Sequence, residues 1–461
     1  MKRSILLLLS SLLLACGDSG PNQDWFQFHR NGANQGALFV NTPNTLRPLW
    51  SIDLEPIIHS SPVLDAQGNI YIGATNGRLL KIDPDGVPLC SSNHVNETII
   101  ASPSVGEDGD IYFITNKPLG GNRFISTLRS MDDNCDPRWS YEFEDARDGY
   151  PSHTTASPKT LRITGTQYVV VPISPSKVCE TGNCNDVEDG LSELFIFHGV
   201  TGLLQRRKTI GGCITFGDPG SPIARFDDDV WDTITNFPGL VADTQSPLYK
   251  NYGWIDPTIA VVDYSSVVEQ SNQPFLTVVN QCLGLRLTNF KWNSASIATV
   301  TREWTYEDSS RRYNYSSPAV FTNGLIVLGR ADGLVQAFDI FSGDRTWTYD
   351  AKEAVMATPS SLGRQIIIAS LTKLHLLDYN GDLIRTFDLD GQTIASPSMS
   401  ASHIHVSSSD ALYKLSLDLL DSSKDTSNTG GLVTPAIGAD GRVYTVFYTN
   451  NHSVLRAYAG N

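Results

Sequence analysis

The sequence has few basic residues and, after its first sixteen positions, no long apolar run. Lysine and arginine number 34 against 49 aspartate and glutamate residues, and the formal net charge is -15 at pH 7. A surface of that sign repels phosphate backbones, and no cluster of lysine and arginine offers a groove for one. The composition therefore predicts no nucleic-acid partner. No later segment approaches the roughly 20 apolar residues of a membrane-spanning helix.

Cysteine is also scarce. Apart from the cysteine of the N-terminal signal, the chain has Cys90, Cys135, Cys179, Cys184, Cys213 and Cys282. An even number in an exported chain favours disulfides, although sequence alone does not choose among the many possible pairings. Cys179 and Cys184 in VCETGNC suit a staple within one loop. Elimination would then pair Cys90 with Cys135 and leave Cys213 for Cys282. A zinc site is the alternative, but the sequence has no second C-x-x-C motif or nearby histidine pair to support it.

The N-terminus has the pattern of an export signal. In MKRSILLLLSSLLLAC, two basic residues precede a short apolar stretch, which is too short to span a bilayer. The ending LLAC resembles a bacterial lipobox, so we expect cleavage before Cys16 and lipidation of Cys16. The sequence therefore predicts a signal peptide over 1–15 and a lipidated tether over 16–23. Acyl chains would hold the folded part at a membrane of the bacterial envelope, which we expect to be the outer membrane, facing the periplasm or the cell surface.

One short pattern recurs along almost the whole chain. A Ser/Thr-Pro dipeptide stands at Pro62, Pro103, Pro158, Pro318, Pro359, Pro397 and Pro435. The segment IDPTIAVVD places Pro257 in the same role, as an eighth anchor. Most anchors are spaced by about forty residues, and that period with β-rich content is typical of propeller blades.

Each repeat divides into four short apolar runs separated by turn dipeptides. In the first repeat the predicted strands cover 57–65, 69–75, 78–84 and 87–92. The turns between them are QG, NG and DG, which supply positive φ for tight hairpins. Four short antiparallel strands cannot bury both faces alone, so several such sheets must stack around an axis. The prediction is an all-β fold, an eight-bladed β-propeller of four-stranded antiparallel blades.

The two ends of the chain complement each other. The last repeat has only three strands, and LRPLWSIDL (46–54) is the candidate for the missing fourth strand. Its Trp50 corresponds to Trp304 and Trp347 in other repeats. An N-terminal strand in this position would close the ring and remove the last open edge. Residues 24–461 are thus predicted to form a single propeller domain, with insertions near 174–190 and 211–253.

The repeat, with Ser/Thr-Pro, then xVYVG, DGxLxAxD and a terminal tryptophan, resembles the pyrroloquinoline-quinone-type propeller repeat. The entry segment DWFQFHRNGANQGA (24–37) is similar to the Trp–Phe–Asn–Gly lead-in found before the first blade of such proteins. The resemblance spans 24–461. It implies the propeller fold and two classes of function, because fold alone does not decide between them. One class is the quinone- and calcium-dependent dehydrogenases. The other is non-enzymatic scaffolds, such as the lipoprotein propeller subunit of the outer-membrane barrel-assembly machinery.

The dehydrogenases of that resemblance carry two adjacent cysteines, a carboxylate base and oxygen ligands for calcium. No two cysteines are adjacent here, and the acidic residues form no recognisable set. At the place of the terminal tryptophan, the first blade has Cys90 and the sixth has Phe387. We therefore predict no catalytic, cofactor-binding or metal-binding residue and no cofactor. The expected function is a lipid-anchored scaffold that binds envelope proteins, with a role in outer-membrane protein assembly.

Other chemistry-bearing residues have simpler interpretations. The stretches DAQGN, EDGD and ADGR resemble calcium loops, but they lie where strand turns must lie. His403 and His405 alternate along a strand and so face one side, without a third ligand nearby. The Ser and His residues of HSS (59–61) and SHTT (152–155) lack a G-x-S-x-G turn.

The 211–253 insertion combines aromatic and acidic residues. These are Asp227, Asp228, Asp229, Trp231, Asp232, Phe237, Tyr249, Tyr252 and Trp254. Aromatic side chains beside carboxylates suit a protein or sugar contact. In one alternative the carboxylates hold a cation, and in another the insertion packs over the blades and its aromatics form a local core. If the aromatics instead make the sugar contact, the protein is a glycan- or ligand-binding surface lipoprotein, which is a third functional hypothesis.

Overall fold

The computed structural model describes most of the chain after residue 24. The described ranges are 25–31, 33–54, 60–120, 123–143, 152–163, 165–175, 191–212, 260–262, 275–280, 285–292, 300–308, 316–427, 433–449 and 452–459. The regular secondary structure in these ranges consists of β-strands. The described residues include no helix with the length and apolarity needed to cross a membrane.

The described strands form eight sheets, numbered in chain order. Before them lie β1 (Ala37–Leu38) and β2 (Pro48–Leu54). Sheet 1 contains β3 (Val63–Leu64), β4 (Ile70–Gly73), β5 (Arg78–Ile82) and β6 (Pro88–Asn93). Sheet 2 contains β7 (Ser104–Val105), β8 (Ile111–Gly120), β9 (Arg123–Met131) and β10 (Pro137–Glu142). Sheet 3 contains β11 (Ser152–His153), β12 (Lys159–Ile163), β13 (Thr166–Pro175), β14 (Leu191–His198) and β15 (Leu204–Gly212).

The later sheets follow the same plan. Sheet 4 contains β16 (Ala260–Val262), β17 (Phe275–Asn280), β18 (Leu285–Trp292) and β19 (Val300–Asp308). Sheet 5 contains β20 (Ala319–Val320), β21 (Leu325–Gly329), β22 (Leu334–Asp339) and β23 (Arg345–Asp350). Sheet 6 contains β24 (Ser360–Leu362), β25 (Gln365–Ala369), β26 (Lys373–Asp378) and β27 (Leu383–Asp388). Sheet 7 contains β28 (Ser398–Ser400), β29 (His403–Ser407), β30 (Leu412–Ser416) and β31 (Ser422–Asp425). Sheet 8 contains β32 (Ala436–Ile437), β33 (Val443–Thr449) and β34 (His452–Tyr458).

The strands within each sheet are antiparallel and follow chain order from the inner to the outer strand, with two additions from the N-terminus. Sheet 3 is the exception, because β11 and β12 both pair with β13. Strand β1 lies parallel to β28, and β2 pairs antiparallel with β34. The segment predicted to supply the fourth strand of sheet 8 therefore does so. The predicted all-β architecture of four-stranded antiparallel sheets is confirmed.

The hydrophobic core lies between the faces of adjacent sheets. One buried cluster joins Leu64 and Ile72 of sheet 1 to Val446 and Leu455 of sheet 8. Comparable clusters join sheets 1 and 2, sheets 2 and 3, sheets 5 and 6, and sheets 6 and 7. A fully buried aliphatic or aromatic side chain contributes about 1.5–3 kcal/mol. Because each sheet buries both faces only against its neighbours, one repeat cannot fold alone.

The Ser/Thr-Pro anchors bond to one another from sheet to sheet. The amide of Ser61 donates to Ser102 Oγ at 2.9 Å, and the amide of Ser102 donates to Ser157 Oγ at 3.0 Å. The same bond joins Thr358 to Ser396, Ser396 to Thr434, and Thr434 back to Ser61. The hydroxyl is therefore required as an acceptor for the neighbouring sheet. Of the predicted strand 57–65, residues 57–59 lie outside the described residues, and Val63–Leu64 has strand conformation in the rest. The amide of Ser61 donates to the next sheet and not along its own ladder.

Tryptophans on the outer strands join the sheets at the opposite, peripheral end. The indoles of Trp50, Trp139, Trp304 and Trp347 each donate to a carbonyl of the next sheet. Each indole also lies against a glycine of the turn between the third and fourth strands of that sheet. A Cβ on Gly381, for example, would stand 2.6 Å from Trp347. Its φ of 84° is a conformation that favours glycine.

A disulfide occupies the corresponding place between sheets 1 and 2. The pairing of β5 with β6 shifts register near the start of β6, and Cys90 is the first paired residue after that shift. Trp347 has the same position in the pairing of β22 with β23. Cys135 lies in the turn before β10 with a φ of 66°, where other turns have glycine. The two cysteines are bonded to each other, so the predicted Cys90–Cys135 pair is confirmed. In sheet 6 the residue after the register shift is Arg385, so the assignment of Phe387 to this place was wrong. Phe387 lies two residues further along the strand.

Candidate functional site

The lead-in segment 25–40 runs along the inner strands of most sheets. The carbonyls of Trp25 and Phe26 accept from the amides of Leu64 and Val105, both at 2.8 Å. Gln27 exchanges two side-chain hydrogen bonds of 3.1 Å with the backbone of Thr160. Further along, the carbonyls of the lead-in accept from Val320, Ser361 and Met399.

These six amides share one position in the repeat. Each belongs to the second residue after an anchor proline, in sheets 1, 2, 3, 5, 6 and 7. An inner strand has one edge without a neighbouring strand, and its free amides need acceptors when they are buried. The lead-in supplies those acceptors. The repeated anchor therefore places an amide at the same position in each of these six sheets, and residues 25–36 of the lead-in bind the six amides.

His29 lies at the centre of this segment and is fully buried. Its Nδ1 is 2.8 Å from Asn34 O, and its Nε2 is 3.0 Å from Ser360 Oγ and 3.1 Å from Pro397 O. Burial lowers the pKa of His29 to about 4, against the opposing effect of the two carbonyls. The imidazole is therefore neutral at pH 7. A Cβ on Gly36 would stand 2.1 Å from His29 Nε2, so the close approach requires glycine.

Lys159 is the second buried ionisable group of this region. Its Nζ donates to Phe28 O at 2.8 Å and to Asn31 O at 2.9 Å. The amine also lies 5.7 Å from the centre of the Phe28 ring. Burial lowers the pKa of Lys159 well below its ordinary value. Both groups hold the lead-in against the inner strands, and neither is exposed to a substrate.

His403 and His405 face one side, as their alternation predicts. Both approach Thr42 Oγ1, His403 through Nδ1 at 3.2 Å and His405 through Nε2 at 2.8 Å. Burial lowers the pKa of His405 to about 3. The pair thus contacts the segment that follows the lead-in.

The turn sequences that resemble calcium loops form turns in the structure. Asp65 Oδ1 accepts from the amides of Gln67 and Asn69 at 3.0 and 2.8 Å. In EDGD the amide of Gly109 donates to Gly106 O, and in ADGR the amide of Arg442 donates to Asp440 Oδ1 at 3.0 Å. These carboxylates satisfy backbone donors within their turns, which is ordinary turn chemistry.

A serine–histidine network between sheets 5 and 6 was missed by sequence reasoning. Ser370 Oγ lies 3.0 Å from His375 Nε2 and donates to Glu353 Oε2, also at 3.0 Å. Tyr349 completes the network on His375 Nδ1 at 2.9 Å. Ser370 and His375 are buried, and burial lowers the pKa of His375 to about 4. No local motif reports this network, because Glu353 stands seventeen residues before Ser370 and the contact exists only after sheets 5 and 6 pack.

Many of the predicted site residues lie outside the described residues. These are Cys16, Cys179, Cys184, Cys213, Cys282, Asp227, Asp228, Asp229, Trp231, Asp232, Phe237, Tyr249, Tyr252 and Trp254. The loop staple, the Cys213–Cys282 pair and the aromatic surface therefore stay predictions, as does lipidation.

The dehydrogenases that the sequence repeat resembles hold a quinone and a calcium ion, and the described side chains of this chain do not fit that pair. Calcium needs several oxygen ligands from carboxylates and carbonyls. In the described ranges no three His, Cys, Asp or Glu side chains converge on one point. Cys90 and Cys135 are bonded to each other at the periphery, away from the inner strands.

The fold is that of a β-propeller. The chain is similar to a europium-containing methanol dehydrogenase, with 10% identity, 94% of this chain and 91% of that chain covered, and a TM-score of 0.65. It is also similar to the quinohemoprotein alcohol dehydrogenase from Comamonas testosteroni, with 10% identity, 96% and 81% covered, and a TM-score of 0.63. At such identities these likenesses show the fold alone.

BamB from Moraxella catarrhalis is another similar structure, with 15% identity over 81% of this chain and 98% of that chain. Its TM-score of 0.46 is too low for any conclusion about this protein. No protein-family model matches the sequence, and no curated protein matches it.

Proposed function

We propose that the protein is a lipid-anchored β-propeller scaffold that binds envelope proteins and performs no catalysis. In this proposal residues 1–15 are a signal peptide, Cys16 carries the lipid, and 24–461 form one domain. The eight sheets are the blades of one ring, which β2 closes. The Thr434–Ser61 bond and the Trp50–Pro84 bond, both between sheets 8 and 1, support that closure.

The observation that carries the proposal is the bound lead-in. Its carbonyls and side chains engage the inner strands of six sheets, and both its own His29 and its partner Lys159 are buried. The inner edges are thus used within the chain itself. The turns, loops and outer strands remain for partners, and a rigid frame that displays such surfaces suits protein binding.

In this proposal the anchor lies in the outer membrane, and the protein acts in outer-membrane protein assembly. Metabolic labelling with radioactive palmitate tests the lipid. Labelling of the wild-type chain and its loss in Cys16→Ser, with release of that variant from the membrane fraction, is the expected result. A wild-type chain that takes up no label would remove the anchor from the proposal.

Native mass spectrometry tests the absence of catalysis. The exported Cys16→Ser domain is incubated with pyrroloquinoline quinone and calcium, and no stoichiometric adduct is expected. An adduct that survives dilution would replace the scaffold by a quinone-dependent dehydrogenase.

A glycan-binding surface is tested separately. Saturable sugar binding that is lost in Trp231→Ala or Trp254→Ala would replace the protein partner by a glycan.

A further inference from the structure

The exposed apolar side chains of the described residues gather at one end of the sheets. We call this end the turn face; it holds the turns between the third and fourth strands, such as 83–87, 340–344, 379–382 and 417–421. All exposed large apolar residues in the described ranges lie there except Val95 and Leu119. Single exposed apolar residues are ordinary, but their concentration on one face marks an interaction surface.

The sector formed by sheets 5, 6 and 7 has the clearest composition. Its apolar residues come from neighbouring turns and strand starts: Phe341 in sheet 5, Leu383 and Ile384 in sheet 6, and Leu420 in sheet 7. Leu420 is 61% exposed. Trp347 against Gly381 holds sheets 5 and 6 together at this end, so the apolar residues of these two sheets share one rigid surface.

Carboxylates accompany these apolar residues. Asp344, Asp382, Asp418 and Asp421 are exposed on the same turns. Arg345 and Arg385 lie on these turns and strand starts, and Arg364 is exposed in the turn after β24 at the same end. With the half-buried Asp339 and Asp378 included, six carboxylates stand against three arginines, so the sector is negative. Asp418 and Arg385 interact electrostatically. A partner that covers the sector must therefore bring positive charge together with apolar side chains.

The first described residue of the chain, Trp25, lies at this same face. The carbonyl of Trp25 binds Leu64, the last residue of β3, directly before the turn at Asp65. Turns after first strands and turns after third strands lie at the same end of an antiparallel sheet. A tether over 16–23 reaches at most about 30 Å when extended. Under the proposed function, on which this step rests, the turn face is held close to the membrane.

We infer that the sector of sheets 5 to 7 on the turn face binds a basic, apolar-bearing protein surface next to the membrane. The lipid surface itself is the less suitable occupant, because anionic headgroups are repelled by the carboxylates of this sector. Apolar contact through Phe341 and Leu383 supplies binding, and the carboxylates select and orient a basic partner.

Photo-crosslinking in the membrane-anchored full-length chain tests the inference. Benzoylphenylalanine replaces Phe341 or Leu383 on the turn face, and Val95 or Leu119 at the opposite end as matched controls. We expect a protein adduct from the first pair, with the crosslinked partner peptide rich in lysine or arginine. The combined Asp344→Asn, Asp382→Asn, Asp418→Asn and Asp421→Asn changes should lower its yield about tenfold. The same changes should leave the unfolding midpoint of the chain within a few degrees.

Each other outcome has a definite meaning. Adducts only to lipid, or cosedimentation of the Cys16→Ser chain with phosphatidylglycerol vesicles, would assign the sector to the membrane and overturn the inference. Protein adducts only from Val95 or Leu119 would keep the scaffold and overturn this docking site. Protein adducts from neither end would overturn both the docking site and the proposed function. A protein adduct whose yield is unchanged by the four Asp→Asn substitutions would overturn the conclusion that the partner is basic.

Discussion

Neighbouring sheets are joined in two regions of this molecule, and the two regions use different chemistry. Near the inner strands, the joints are hydrogen bonds between Ser/Thr anchors and from the lead-in. At the periphery, four junctions use a tryptophan against a glycine, and the junction of sheets 1 and 2 uses the Cys90–Cys135 disulfide. The inner joints are nearly uniform because backbone amides at one repeat position need the same acceptor. The peripheral joints vary because a half-exposed contact tolerates several solutions.

The largest expected effect is at the disulfide. Replacing both Cys90 and Cys135 by serine removes a link between residues 45 positions apart. Loss of a loop constraint of that length lowers the free energy of unfolding by about 4 kcal/mol. Denaturant titration of the variant and wild-type chains measures the difference, with Ser91→Ala as a control on the same strand.

A swap of the two peripheral solutions sharpens this result. The double variant Cys90→Trp with Cys135→Gly installs the pair that joins sheets 5 and 6. It should recover part of the stability lost in the serine variant. If it is no more stable than the serine variant, the disulfide is not the counterpart of the tryptophan joint.

The next largest effect is expected from Gly381→Ala. The added Cβ would stand 2.6 Å from Trp347, and the φ of 84° is unfavourable for alanine, so about 3 kcal/mol of stability should be lost. Gly109→Ala is the matched control, because Gly109 has a φ of 83° and open space around its Cβ position. It should lose only about 1 kcal/mol. Equal losses in the two variants would mean that the tryptophan contact is unimportant.

We expect the buried His29 of the inner region to make the stability of the chain depend on pH. The pKa of His29 is about 4 in the folded chain and near 6.5 when unfolded, so the unfolded chain binds the extra proton first as the pH falls. Stability is therefore complete above pH 6.5 and is lost as the pH falls toward 4. The loss from His29 is about 2 kcal/mol between pH 7 and pH 5.

His29→Gln should remove this part of the pH dependence, since glutamine keeps a donor for Asn34 O without titrating. Unfolding measured at pH 7 and pH 5 gives the comparison. A variant with the same pH dependence as the wild-type chain would show that His29 is not the group responsible.

The smallest effect is expected at a single anchor hydroxyl. Ser396→Ala removes the acceptor of the Thr358 amide and leaves a buried donor unpaired, at a cost of about 1–2 kcal/mol. Ser396→Thr keeps the hydroxyl, as Thr434 does in sheet 8, and should retain wild-type stability. If alanine and threonine behave alike, the anchor hydroxyl does not join the sheets.

Prediction from the sequence succeeded where a contact is repeated. The Ser/Thr-Pro anchors and turn dipeptides recur often enough to reveal the four-stranded units, and LRPLWSIDL was recognised as a strand by its tryptophan. Prediction from the sequence failed where a contact is made only once. The Ser370–His375–Glu353 network has no counterpart among the described residues of the other sheets, and the place of Arg385 depends on a register shift that composition does not report.

The lead-in shows the limit of a resemblance. DWFQFHRNGANQGA was recognised as a family-like entry segment, but its sequence does not reveal that it binds amides of six sheets or buries Lys159. Those contacts join residues 25–36 to residues up to Met399, so only the folded chain brings them together.

The amino-acid sequence by itself determined that the chain is β-rich and repetitive, because turn residues, anchor dipeptides and apolar alternation act over a few neighbouring positions. Only the tertiary structure decided which side chains became neutral and which turns became an exposed acidic and apolar sector. Those properties depend on burial and on distances between residues far apart in the chain, and packing sets both.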